Sequence, residues 1–169
     1  MDDNDNAQWL CDRCGTPVHE TAAHCHECGA LFDQHLSCSC HHSREALGVC
    51  IICSQPWCTL CGGWIDERFL CARHAGYEII ENLARVYGDT DFVRLQFAQK
   101  CLEQAGLRPF QFSLRQEPAH GVGFGYPNLA HRGGDPHAVY EWKIMLPFDE
   151  VLRGEEVLRE LDFIGETRT

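Results

Sequence analysis

Eleven of the twelve cysteines lie between Cys11 and Cys71, and only Cys101 stands outside that stretch. Nothing else in the 169 residues limits the fold as severely. Eight of the eleven form Cys-x2-Cys pairs, two more stand three residues before a histidine, and Cys40 is left over. Sulfur at this density means either a disulfide framework or metal. The opening MDDNDNAQWL has neither the basic n-region nor the apolar h-region of a signal peptide. No apolar run approaches the roughly 18 residues of a membrane span. We therefore expect a cytoplasmic chain with reduced thiols, in which paired cysteines bind metal.

The first two pairs are Cys11-x2-Cys14-Gly15 and Cys25-x2-Cys28-Gly29. A Cys-x2-Cys turn points both thiolates at one ion, and the following glycine allows the positive φ of a tight knuckle. Two knuckles with ten residues between them fit a short hairpin closing one four-thiolate site. This doubled CxxCG form resembles the zinc-ribbon family over residues 9–32, with residues 1–8 an acidic, disordered lead. An iron site of the rubredoxin type uses similar knuckles, but nothing nearby suggests an electron partner. His19, His24 and His26 read as solvated, since four thiolates already suffice.

Four further pairs follow: Cys38-x2-His41, Cys50-x2-Cys53, Cys58-x2-Cys61 and Cys71-x2-His74. Only four residues separate the second pair from the third, too few for those two to close one site together. Alternation is the natural solution. It gives Cys38, His41, Cys58 and Cys61 for one ion and Cys50, Cys53, Cys71 and His74 for the other. These spacings, with Ala46, Gly48 and the segment WCTLCGG, resemble the bacterial form of the B-box zinc finger over residues 37–75. His42 stands where that family usually has proline, and Cys40 offers an extra thiol beside Cys38. Modules this short cannot bury enough apolar surface to fold unaided, whereas structural zinc supplies roughly 10–16 kcal/mol in finger peptides. Three zinc ions are expected in all. Trp57, Trp64, Ile51, Ile52, Leu60, Ile65 and Phe69 are expected to form a small cluster beside them.

The remaining chain reads as a compact α+β unit. LARVYG suggests a strand, Asp91 an N-cap, and FVRLQFAQKCLEQAG a helix with Val93, Phe97, Cys101 and Leu102 on its apolar face. Gly106 suits the C′ stop. RPFQFSL alternates Phe110, Phe112 and Leu114, and VYEWKIMLP alternates Tyr140, Trp142, Ile144 and Leu146. A last amphipathic stretch presents Val151, Leu152, Val157, Leu158 and Leu161, with Gly154 weakening it by about 1 kcal/mol. This βαββα order, with CLEQAGLRPF and EWKIMLPFDEVLRGEEVL, resembles a prokaryotic signal-transducing domain family of ferredoxin-like shape over residues 83–163. The expected fold is thus small zinc-stabilised modules (zinc ribbon plus B-box-like cross-brace) followed by an α+β ferredoxin-like domain.

Charge narrows the functions. The formal net charge is −11, and residues 1–36 hold seven acids against the single base Arg13. Thiolate-bound zinc makes the total more negative, so phosphate backbones are repelled and nucleic acid is a poor partner. Residues 1–74 contain no lysine. The leading expectation is a non-enzymatic zinc adaptor for protein–protein interaction or signalling, with oligomerisation through the C-terminal domain a further option. A nucleic-acid-binding zinc protein is the alternative, as is a redox or effector sensor releasing zinc through Cys40, the candidate redox residue. The loop between the last two strands carries a candidate effector site of His120, Gly121, Gly123, Gly125, His131 and His137. GVGFG there lacks the GK[ST] of a P-loop and opens no helix, so it meets neither phosphate fingerprint. No nucleophile–base grouping suggests catalysis.

Overall fold

The computed structural model describes residues 8–32, 35–116 and 139–165. The acidic residues 1–7 and the 117–138 segment, with all six candidate effector-loop residues, lie outside them. The chain divides between Ala84 and Arg85 into two units.

In the first unit, β1 (Gln8–Leu10) pairs antiparallel with β2 (Pro17–His19), placing Trp9 opposite Val18. Between them the chain turns on Gly15, whose N–H donates to the Cys11 carbonyl at 2.8 Å. The second knuckle repeats the turn, with Gly29 N–H donating to the Cys25 carbonyl at 2.9 Å. Both glycines have positive φ, +72° and +81°. Next, β3 (Gly48–Val49) pairs with β4 (Pro56–Trp57), and β5 (Gly62–Ile65) with β6 (Arg68–Cys71). Asp66 and Glu67 both take positive φ in the two-residue turn joining β5 to β6, the form that matches strand twist. A short β7 (Ile79–Ile80) pairs with the start of β8 (Leu83–Asp89).

Phe69, on β6, is the apolar centre of the module that contains β3 to β6 and is fully buried. Gly48 and Gly62 let the chain pass directly over its ring, since a Cβ on either would press into it. Trp64 meets Phe69 edge-on at 5.3 Å and also packs on the cysteine cluster of the first module. The expected apolar cluster is therefore present in part: Ile51, Ile52 and Phe69 are buried, but Leu60 and Ile65 are exposed. Two-residue and four-residue strands have little face to offer, and the metal ligands take the interior places.

In the second unit the order is β8, α1 (Phe92–Gln104), β9 (Phe110–Gln116), β10 (Val139–Pro147), a 3-10 turn (Phe148–Glu150) and α2 (Val151–Glu160). This is a mixed α/β arrangement, with β10 between β8 and β9 and antiparallel to β9. Asp91 caps α1, its carboxylate accepting from Val93 and Arg94 N–H. Gly106, at φ +78°, ends the helix: its N–H donates to the Glu103 carbonyl, and Leu107 N–H to Leu102.

The apolar faces differ from expectation. Helix α1 buries Leu95, Ala98 and Leu102, while Val93 is 74% and Phe97 59% exposed and Cys101 is half-buried. Small Ala98 marks the true contact face, and Phe97 instead lies along Phe163 at 5.7 Å. Phe110, at the start of the edge strand β9, is exposed. In β10, Ile144, Met145 and Leu146 are all fully buried, so a central strand replaces the half-buried one that alternation implied. Leu152 on α2 and Leu161 at its C-cap are exposed, and Gly154 is buried, its missing side chain making room for Leu146. Gly154 is thus a packing residue rather than a weak point in the helix.

Candidate metal centres

The twelve ligands read from the sequence meet in three clusters, each with its donor atoms within 4.8 Å of one another. The first is Cys11, Cys14, Cys25 and Cys28, one pair from each knuckle. The second is Cys38, His41, Cys58 and Cys61, and the third Cys50, Cys53, Cys71 and His74. Alternating connectivity is therefore realised. His41, not Cys40, completes the second cluster, and Cys40 is exposed outside it.

Distances test whether zinc fits. A tetrahedron with Zn–S near 2.3 Å has sulfur–sulfur edges of about 3.8 Å, and one imidazole nitrogen shortens its edges to about 3.6 Å. In the first cluster Cys11 and Cys28 Sγ are 3.8 Å apart, and Cys14 and Cys25 Sγ 3.5 Å. His41 Nδ1 lies 3.2, 3.5 and 4.0 Å from the sulfurs of Cys61, Cys58 and Cys38. His74 Nδ1 is 3.2 Å from Cys71 Sγ and 3.4 Å from Cys50 Sγ. A disulfide would need about 2.05 Å, and every described cysteine is free. The donor sets and spacings suit three zinc ions.

Electrostatics leads to the same conclusion. In the third cluster the Cys53 thiol, outweighing burial, and His74 draw Cys50 down to about 3, while Cys53 is pushed up by Cys50 and by burial. In the second, burial opposes ionisation of Cys38, but N–H groups of His41, Cys58 and Cys40 bring it down to about 6. Cys61 there is pushed up to about 12 by burial and by its sulfur neighbours. In the first, burial again opposes ionisation, yet contacts with Thr16 and Cys25 lower Cys14 to about 7, and burial pushes Cys28 up. Crowded sulfurs ionise one at a time, because like charges this close repel. A divalent cation between them removes that conflict and lets all ionise.

The clusters are held from outside. Phe69 N–H donates to the Cys28 carbonyl at 2.8 Å, and Val49 N–H to the Gly29 carbonyl at 2.9 Å, so the second knuckle is stitched to β3 and β6. Tyr77 meets the His74 ring edge-on at 5.5 Å. The buried Trp57 Nε1 has no conventional partner, and its N–H acts on the Cys53 sulfur. Arg13, the one base of residues 1–36, lies over the Trp64 ring at 3.4 Å. Arg68 is held by the Glu81 carbonyl at 2.6 Å and by Asn82 and Glu27. These two arginines, with Cys14, Thr16, Cys28 and Glu67, line a cavity of about 420 Å³ beside the first cluster. Ligand spacing gives no hint of this cavity, and the isolated position of Arg13 in an acidic stretch was the one available signal.

Taken together, the clusters define a protein whose N-terminal unit is organised around three metal centres, one with four thiolate donors and two with three thiolates and one imidazole. Compared with family models, curated proteins and solved structures, the chain shows no match.

Proposed function

We propose that the chain is a non-catalytic zinc adaptor of a bacterial cytoplasm, in which zinc-ribbon-like and B-box-like modules present rigid surfaces and a ferredoxin-like domain supports signalling. The observation that carries this reading is closure: each cluster supplies four protein donors, leaving no open position at which a substrate could coordinate. The alternating connectivity supports the B-box-like reading, and the βαββα order supports the ferredoxin-like one. No helix among the described residues is long and apolar enough to cross a membrane. The net charge of −11 favours basic or neutral protein partners over nucleic acid.

Native mass spectrometry of freshly isolated, reduced protein tests this reading. The expected result is three zinc per chain and retention of a protein partner, with no salt-sensitive binding to DNA or RNA in parallel titrations. Turnover that depends on a particular side chain, or nucleic-acid binding that weakens steeply with salt, would overturn it.

A further inference from the structure

Exposure separates the twelve ligands sharply. Eight are buried and His41, Cys53 and Cys61 are half-buried, whereas Cys14 alone is exposed. Its Sγ lies 3.5 Å from that of Cys25, contributed by the opposite knuckle. The 420 Å³ cavity is lined in part by Cys14, so a small molecule has room beside the exposed ligand. We propose that Cys14 is an oxidative modification site, taking hydroperoxides and closing to a Cys14–Cys25 disulfide. This inference rests on the metal reading above.

The chemistry balances with a peroxide as the oxidant. Cys14 thiolate attacks one peroxide oxygen, forming an S–O bond, breaking O–O and releasing hydroxide. The Cys25 thiolate then attacks Cys14 Sγ, forming S–S and displacing a second hydroxide. In sum, two thiolates lose two electrons and hydrogen peroxide becomes two hydroxides. The approach of the sulfurs from 3.5 Å to about 2.05 Å is a small knuckle movement. Two donors then remain where four stood, and zinc is lost from the first cluster.

Loss of that ion has a structural consequence. The second knuckle carries the carbonyls of Cys28 and Gly29 that accept from Phe69 and Val49. Releasing it uncovers backbone donors on β3 and β6. Cys40, the spare thiol that the sequence singles out, is exposed but belongs to no cluster, so its oxidation removes no donor.

The test uses the full, zinc-loaded chain, hydrogen peroxide and a chromogenic chelator, with mass mapping of alkylated peptides. Three zinc should be present before oxidant is added; fewer would sink the metal reading itself. With three present, the expected course is loss of one zinc first, with the Cys14–Cys25 linkage, and an unchanged rate in Cys40→Ser. Cys14→His keeps four donors without the exposed sulfur and should slow that first release roughly tenfold or more. A first disulfide through Cys40 or within another cluster, simultaneous loss of all three ions, or unaltered release from zinc-loaded Cys14→His overturns the proposal. If Cys14→His fails to load, the wild-type peptide map alone decides.

Discussion

Glycine positions in the two knuckles show how a residue can look equivalent in sequence and differ in the fold. Gly15 and Gly29 both follow Cys-x2-Cys and both hold positive φ. Around Gly15 a Cβ would meet nothing within 4 Å, whereas at Gly29 it would overlap the Val49 carbonyl oxygen and touch Phe69. Gly15→Ala should therefore cost only the backbone term, about 1 kcal/mol. Gly29→Ala adds a clash with backbone that cannot rotate away, for about 2–4 kcal/mol in all. Chelator titration of the two variants measures the gap, and equal zinc retention in both would refute it. Residue identity made the ligands legible, because thiolate and imidazole chemistry admits few alternatives at this spacing. It could not reveal which ligand is exposed: Cys14 and Cys28 occupy matching places in their knuckles, and only the docking of the second knuckle on β3 and β6 separates them.

At the scale of elements, helix ends were easier to read than helix faces. Capping is local: Asp91 accepts from Val93 N–H at 2.9 Å and Arg94 N–H at 3.3 Å. Asp91→Ala should destabilise the second unit by about 1 kcal/mol, seen as an earlier midpoint in urea unfolding followed by far-ultraviolet circular dichroism. Faces depend on what lies opposite. In α1 the bulky Val93 and Phe97 suggested the buried side, yet the helix approaches its neighbours through Leu95, Ala98 and Leu102. Gly154 follows the same rule in α2. Alanine there gains about 1 kcal/mol of helix propensity, but its Cβ would collide with Leu146 Cδ1. Overpacking costs about 1–3 kcal/mol, and because Leu146 is fully buried with little room to turn, the clash wins. Gly154→Ala should lower the unfolding midpoint, and a rise would show that Leu146 repacks freely.

For the whole molecule, the two units draw on different sources of stability, and chelation should separate them. The first unit's interior is largely its ligands: Cys11, Cys25, Cys28, Cys38, Cys50, Cys58 and Cys71 are all at most 2% exposed, and Phe69 and Leu70 are among the few large apolar side chains beside them. Removing zinc withdraws on the order of 10 kcal/mol per structural site and leaves crowded thiols that must protonate or part. The second unit contains no metal cluster among its described residues. It has an apolar core of Leu95, Leu102, Ile144, Met145, Leu146, Val151 and Leu158, every one of them fully buried. Excess chelator at neutral pH should accordingly abolish amide-exchange protection at Val49, Phe69 and Cys71 while leaving it at Leu102 and Ile144. Hydrogen-exchange mass spectrometry resolves the two sets of peptides directly. Protection lost together in both units would mean that the second fold also depends on zinc, and the separate cores could not then be separate sources of stability.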